Sequence, residues 1–292
     1  MKRIAFLGCE NSHSATFLNF IKNDEKFADV EVVGVYSHDR TAADNLGAKY
    51  DVPVLDDYAD AVGKVDGVVI TARHGDNHLK YARPYMQKGM TIFMDKPITV
   101  SEEDALEFAH LAMKNGVKVT GGSSLRLEAW VKELKGDAEE NKGGETLSGF
   151  VRCPMSYTNV NGGFFFYSQH LVEIVGEIFG RYPKSVKAFM NGKKLTVVFR
   201  YENYDVTGLF VDESYNSYYA MRVVENEVKG ASFPVTGSSP CFREEFDEFY
   251  DVLSGAEQVI NFEDFIAPVF VMNAIKRSID SGNEEYVKEF IL

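Results

Sequence analysis

The sequence predicts an α/β chain in two parts: a doubly wound parallel sheet, then an α+β domain built on a large, mainly antiparallel sheet. Three observations carry this. The first 120 or so residues alternate short apolar runs with helix-length segments, the pattern of a parallel sheet covered by helices. Later β-type runs follow one another across short turns such as Asn191-Gly192, as antiparallel strands do. The length, 292 residues, exceeds one typical domain. The expected division is 1–121 and 122–292.

In order, Arg3 to Gly8 reads as a strand ending in glycine, and Ser14 to Lys22 as a helix with Ala15, Phe17, Leu18 and Ile21 inward. Val30 to Tyr36 is a strand, apolar apart from Glu31, as when both faces are covered. Thr41 to Tyr50 is a helix, Val52 to Leu55 a short strand and Tyr58 to Val62 a helical turn. Gly67 to Ala72 is a strong strand, Asn77 to Lys88 a helix, and Met90 to Asp95 the next strand. Glu102 to Asn115 is a helix stopped by Gly116, and Val117 to Thr120 closes the series. Beyond Gly121 a helix is expected over Leu127 to Leu134, a polar loop over Gly136 to Gly144, and a strand near Thr146 to Cys153. Gly162 to Gly180 holds a helix. Strands follow at Ser185 to Met190, Leu195 to Tyr201, Asp205 to Val211 and Tyr218 to Val224. Helices at Arg243 to Leu253 and Ala267 to Ser281 end the chain. One face of the antiparallel sheet carries Phe, Val and Tyr side chains that are costly to leave wet. A homodimer or homotetramer packed through that sheet is expected.

Composition excludes several partners. The net charge of −13 opposes nucleic acid and anionic membranes, both of which need a basic face. Cys9, Cys153 and Cys241 are an odd number without metal-like or pairing spacing, which reads as a reducing compartment. Glu10 interrupts the apolar start too early for a signal peptide, and no apolar run approaches membrane-spanning length. A cytoplasmic protein with a small-molecule substrate is the expectation.

The stretch Thr91-Ile92-Phe93-Met94-Asp95-Lys96-Pro97-Ile98-Thr99 organises the chain. An apolar strand runs directly into a carboxylate, an ammonium and a proline at the sheet edge where open α/β sheets bind ligands. Lys96 then points into a crevice; a surface Asp-Lys turn is the plainer alternative.

These residues resemble the Gfo/Idh/MocA oxidoreductase family, relatives of glucose-fructose oxidoreductase and inositol dehydrogenase. The carriers are Asp95-Lys96-Pro97, similar to the family's Glu-Lys-Pro, and Val65-Asp66-Gly67-Val68-Val69-Ile70-Thr71 followed by Asn77-His78. Arg126 after the last strand of the first domain, and Gly162-Gly163 leading to His170 and Glu173, complete them. The resemblance implies a Rossmann domain binding NAD or NADP, with Lys96 and His170 lining a substrate pocket against the nicotinamide. It also implies that His78 lies near the cofactor, where Thr71 and Asp95 are expected as well. Arg126 at the domain junction contacts substrate or nicotinamide, or makes a structural ion pair, and Tyr167 is a candidate substrate contact. Hydride transfer from a carbinol needs a proton acceptor and a positive charge for the developing alkoxide. A histidine, which titrates near neutrality, and a partly buried lysine supply both. His170 as a helix residue serving only packing is the alternative, and Asp95 orients Lys96 rather than reacting.

Two departures bear on function. The family's nucleotide loop reads GxGxxG, whereas Gly8-Cys9-Glu10-Asn11-Ser12-His13 keeps only the first glycine. Glu10 stands where backbone approaches phosphate; its carboxylate repels a diphosphate or itself occupies the helix N-terminus. Asn11, Ser12 and Ser14 remain as donors. The second departure is Phe166, where the family has an aspartate four residues before the histidine; Tyr167 offers a hydroxyl in its place, pointing elsewhere from the helix. The aromatic run Phe164 to Tyr167 is either core or a sugar-stacking surface. Cofactor choice turns on Ser37-His38-Asp39-Arg40. Ser37 in the acidic position with His38 and Arg40 as cations leans to NADP, and a shift of Asp39 by a residue reverses it.

His74 and His78 have a spacing that suggests metal, but Gly75 breaks the register, so no metal site is expected. Cys9 lies near a helix N-terminus, where thiols acidify. Two functions stay open: an NAD(P)-dependent oxidoreductase on a sugar, polyol or related hydroxy compound, and a non-catalytic or regulatory relative that binds a metabolite.

Overall fold

A computed structural model describes residues 1–215, 218–233 and 240–292. The chain divides into two compact units, Met1–Gly122 with Phe242–Phe265 and Leu292, and Ser123–Cys241 with Ile266–Ile291.

The first unit alternates β1 (Lys2–Leu7), α1 (Ser12–Asn23), β2 (Val30–Tyr36), α2 (Arg40–Tyr50), β3 (Gly67–Ile70), α3 (Asp76–Ala82), β4 (Thr91–Asp95), α4 (Glu102–Asn115) and β5 (Lys118–Gly122). The sheet order is β2-β1-β3-β4-β5 and every pairing is parallel. The strand order reverses between β1 and β3, the switch point at whose carboxyl edge sheets of this kind bind ligands. β3 and β4 are buried along their whole length, in keeping with their apolar runs Gly67 to Ile70 and Ile92 to Met94.

The second unit holds α5 (Ala129–Glu139), β6 (Ser148–Met155), α6 (Phe165–Phe179), β7 (Ser185–Asn191), β8 (Lys194–Arg200), β9 (Asp205–Asp212), β10 (Tyr218–Val224) and β11 (Glu227–Phe233). The chain then forms α7 (Pro240–Leu253), α8 (Phe262–Ser281) and β12 (Glu284–Tyr286). The sheet order is β11-β10-β6-β9-β8-β7-β12, antiparallel except for β6 beside β9. β8, β9 and β10 alternate buried and half-buried residues, the signature of one packed face. The less buried face carries Phe150, Leu209, Val211 and Met221.

α7 belongs mostly to the first unit and completes its core. Phe246 stacks on Phe17 of α1 with ring centres 4.9 Å apart and meets Phe27 edge-on at the same separation. Each such buried phenylalanine is worth about 1.5–3 kcal/mol against exposure.

Several expected elements differ. The helix expected to reach Lys88 stops at Ala82 and tightens into a 3₁₀ turn at Arg83–Tyr85, because Pro84 lacks the amide that a longer helix needs. Val52 to Leu55 is no strand; Val54 makes a single parallel bridge to Val35. Tyr58 to Val62 forms turns closed by bonds between residues three apart. The loop expected from Gly136 begins as the last turn of α5, and β11 and β12 carry no expectation from the sequence. Among the described residues no helix is long and apolar enough to cross a membrane.

Candidate functional site

At the end of β1 the chain turns into α1 through Gly8, whose φ is +79°. A Cβ there would lie 2.4 Å from the Ala72 backbone, so only glycine lets this turn cross the chain leaving β3. The crossing is pinned by hydroxyls. Ser14 Oγ lies 2.6 Å from Thr71 Oγ1, and Thr71 donates to the Gly8 carbonyl at 3.2 Å. Asn11 caps α1 by accepting from the His13 amide, while Ser12 is exposed. The first amides of an α-helix have no partner within the helix and carry its positive end.

Two residues on, Glu10 turns toward β2. Its carboxylate, 10% exposed, accepts from Ser37 Oγ at 2.6 Å and from the Arg73 amide at 3.1 Å. His38 Nδ1 is 3.8 Å away. The helix terminus is therefore not where this carboxylate goes, contrary to one of the two expectations for it. Arg40 points elsewhere, paired with Asp44 and Asp56 at 2.8 Å each, and Asp39 is spent capping α2 through the Ala42 amide.

β4 delivers a buried charge cluster. Asp95 is fully buried; Asn11 Nδ2 donates to it at 2.8 Å, His13 Nδ1 lies at 2.9 Å, and the Lys96 amide donates at 2.7 Å. Burial alone would raise its carboxyl pKa, but the His13 and Lys96 charges outweigh burial and hold it at about 2. β5 passes close by because Gly121, at φ +114°, brings its backbone against the Met94 carbonyl, where a Cβ would sit at 2.2 Å. Lys96 is 7% exposed, and its peptide bond to Pro97 is cis. Loss of hydration lowers its pKa first and foremost; Asp95 and Glu245 act against that, and Arg73 adds to it. His78 is completely buried between the Ala72 and Ile98 carbonyls, at 2.7 and 3.2 Å, and tethers the segments that follow β3 and β4. Burial pushes its pKa down, and a neutral imidazole donates through one nitrogen, matching the shorter contact. Cys9 is no acidified thiol: burial, then Glu10, push its pKa up to about 12.

The second unit holds a separate cluster. His170 of α6 is 6% exposed and its Nδ1 lies 2.6 Å from Ser123 Oγ. The Tyr167 ring, one turn earlier, packs 5.2 Å from the imidazole, and Tyr218 sits edge-on at 6.4 Å. Tyr167 stands beside His170, the i, i+3 neighbour relation of a helix. Phe166 packs against the Tyr167 ring at 5.2 Å. Glu173 is buried, accepting from the Ser123 amide at 2.9 Å and from Gln169 Nε2. Burial raises its pKa despite the nearby Arg181 and Arg126 charges. Arg126 is itself buried in the 3₁₀ turn Ser124–Leu127.

The structure thus joins Asn11 with Asp95, Glu10 with Ser37, Thr71 with Gly8, and Tyr167 with His170. It leaves Arg40 apart from Ser37. Lys96 belongs to the first unit and His170 to the second. Sequence reasoning met His13 only as the residue in place of the loop's third glycine and gave it no role, and it passed over Glu245 of α7, which is fully buried. Glu245 had a signal: it lies on the apolar stripe of α7 with Cys241, Phe249 and Val252.

Comparisons with known proteins bear on both units. The family model for oxidoreductases with an NAD-binding Rossmann fold, Gfo/Idh/MocA, matches residues 2–123. An uncharacterised Escherichia coli oxidoreductase, YhhX, is 26% identical over 123 residues, a match that covers 39% of this chain and only 35% of that protein. In fold, 98% of the chain superposes on 99% of scyllo-inositol dehydrogenase from Lactobacillus casei, solved with NAD(H) and scyllo-inositol, at a TM-score of 0.84 and 14% identity. Myo-inositol 2-dehydrogenase from Lactobacillus plantarum gives 0.84 at 13% identity, over 98% of this chain and 99% of that one. GenD2 of gentamicin A biosynthesis, solved with NAD, gives 0.86 at 14% identity, over 99% and 97%.

Proposed function

We propose that this chain, which belongs to the Gfo/Idh/MocA oxidoreductase family through its NAD-binding Rossmann domain, is an NAD(P)-dependent dehydrogenase or reductase. Its substrate is a sugar, polyol or related small hydroxy compound. The observation that carries the reading is the buried Asp95-Lys96 cluster at the carboxyl end of β4, on the sheet edge where this fold binds ligands.

The residues fit a dinucleotide. Gly8 keeps the tight crossing over Ala72, the α1 N-terminus offers amides and a positive dipole end to a diphosphate, and Glu10 is held aside at Ser37. When bound, the nicotinamide supplies the hydride acceptor or donor. Lys96 places a desolvated ammonium at the edge of the sheet to steady an alkoxide, and Asp95, clamped by His13 and Asn11, keeps that lysine oriented. In the second unit His170 takes the hydroxyl proton. With Nδ1–H donating to Ser123 Oγ, its Nε2 carries the lone pair that accepts the proton. Arg126 and Tyr167 are read as substrate contacts.

Scyllo-inositol dehydrogenase, of similar fold and solved with NAD(H) and scyllo-inositol, supports a polyol-like substrate, and GenD2, solved with NAD, supports the cofactor class. The half-buried apolar sheet face supports a homodimer or homotetramer, checked by light scattering, and the three buried cysteines, in no disulfide, a reducing, cytoplasmic setting.

A non-catalytic relative is favoured by Glu10 in the loop and by Phe166 in place of a carboxylate. Mixing the protein with NADH and NADPH and following cofactor fluorescence separates the readings. Binding supports the oxidoreductase; no binding of either at high micromolar concentration establishes the alternative.

A further inference from the structure

We infer that Glu10 is the residue that selects the dinucleotide, taking NAD and rejecting NADP, by supplying from the loop after β1 the ribose-binding carboxylate that this fold ordinarily places at the end of β2. The inference rests on the oxidoreductase reading above and deepens it. In a dinucleotide fold an acidic group at the end of β2 accepts hydrogen bonds from the adenosine ribose, while a small residue with free cations admits the 2′-phosphate. Ser37 holds that position, and from sequence it points to NADP.

The structure reverses this through five side chains. Ser37 Oγ donates to Glu10 at 2.6 Å, so a carboxylate stands at the end of β2 although no acidic residue occurs at that position in the chain. The Arg73 amide donates to the other carboxylate oxygen at 3.1 Å and fixes the group from the β3 side. A carboxylate has about four lone-pair sites, so two remain for a ribose diol. Arg40, the cation expected to meet a 2′-phosphate, is paired with Asp44 and Asp56. His38, 57% exposed, lies 3.8 Å from Glu10 itself, and Asp39 is committed to the α2 cap. A 2′-phosphate of charge about −2 would meet this carboxylate directly. Glu10 is thus a specificity residue, and the missing second glycine of the loop is the cost of placing it there.

Direct binding titrations of NADH and NADPH, read by cofactor fluorescence at low salt, test it. The wild-type chain binds NADH at least roughly tenfold more tightly than NADPH, and Glu10→Gln, which keeps the shape and drops the charge, narrows that ratio mainly by strengthening NADPH. Equal or tighter NADPH binding by the wild-type chain overturns the inference and leaves the oxidoreductase reading standing, as does a ratio unmoved in Glu10→Gln. Binding of neither cofactor overturns both.

Discussion

Asp95 and Glu173 are both buried carboxylates, one in each unit, yet their chemistry runs in opposite directions. Asp95 is met by His13 at 2.9 Å, by Asn11, and by the lysine next to it, and is held ionised at about 2. Glu173 is met at short range by neutral donors, the Ser123 amide and Gln169, with its arginines acting at a distance, and burial raises its pKa. Burial alone therefore does not set the state of an acid. A cation at hydrogen-bond range does, because attraction in a poorly hydrated site is large only when it is close. The first cluster is built to hold charge, and the second to hold an imidazole in place.

The largest test of this contrast is Lys96→Ala. Turnover should fall by about 10²–10⁴ while NADH affinity changes little, read as kcat/KM against a fluorescence titration. Unchanged turnover would remove Lys96 from catalysis. Next is Asp95→Asn, which breaks a buried pair and strands its cations; urea denaturation should show a loss of about 3–5 kcal/mol. Glu173→Gln keeps an acceptor for the Ser123 amide and should cost under about 1 kcal/mol near pH 5.

Their pH dependences should oppose each other. Asp95 has a folded pKa of about 2 against an ordinary 3.8, so its stabilisation is complete above about pH 4 and is lost as pH falls toward 2. Glu173 is raised above 4.5, so the folded chain holds that proton longer and loses stability as pH climbs through the raised value. Stability curves of Asp95→Asn and Glu173→Gln against wild type, taken across pH 2–8, should therefore diverge in opposite windows. Curves that move in parallel would show that the two carboxylates do not differ. A separate, kinetic effect is expected of Ser123→Ala. Freed from Oγ, His170 should shift the alkaline or acid limb of the pH–rate profile and lower kcat by about tenfold, with KM steadier than kcat.

Much of the fold was legible because period and punctuation agree. The apolar runs of β3 and β4 read as strands, and Gly116 marked the end of α4, whereas Val30 to Tyr36, expected to be covered on both faces, is the edge strand β2 with only Gly34 and Val35 buried. Asp95-Lys96 stood out because charges directly after a buried strand are costly unless something meets them. What met them was not legible. His13 is 82 residues from Asp95, and Glu245 is farther still from Lys96, so no local pattern joins either pair. The surroundings of Ser37 were not legible for the same reason: the carboxylate that it bonds belongs to Glu10, 27 residues earlier.

By itself the sequence determined the alternation of strands and helices, the antiparallel second sheet, and the residue types available at the strand ends, since each follows from local periodicity and turn chemistry. Only the tertiary structure decided which of those residues share a charge. It returned α7 to the first unit's core and set Glu10 against Ser37. It also gave Asp95 and Glu173 opposite proton affinities, because the energy of a buried charge depends on neighbours that the chain brings close only on folding.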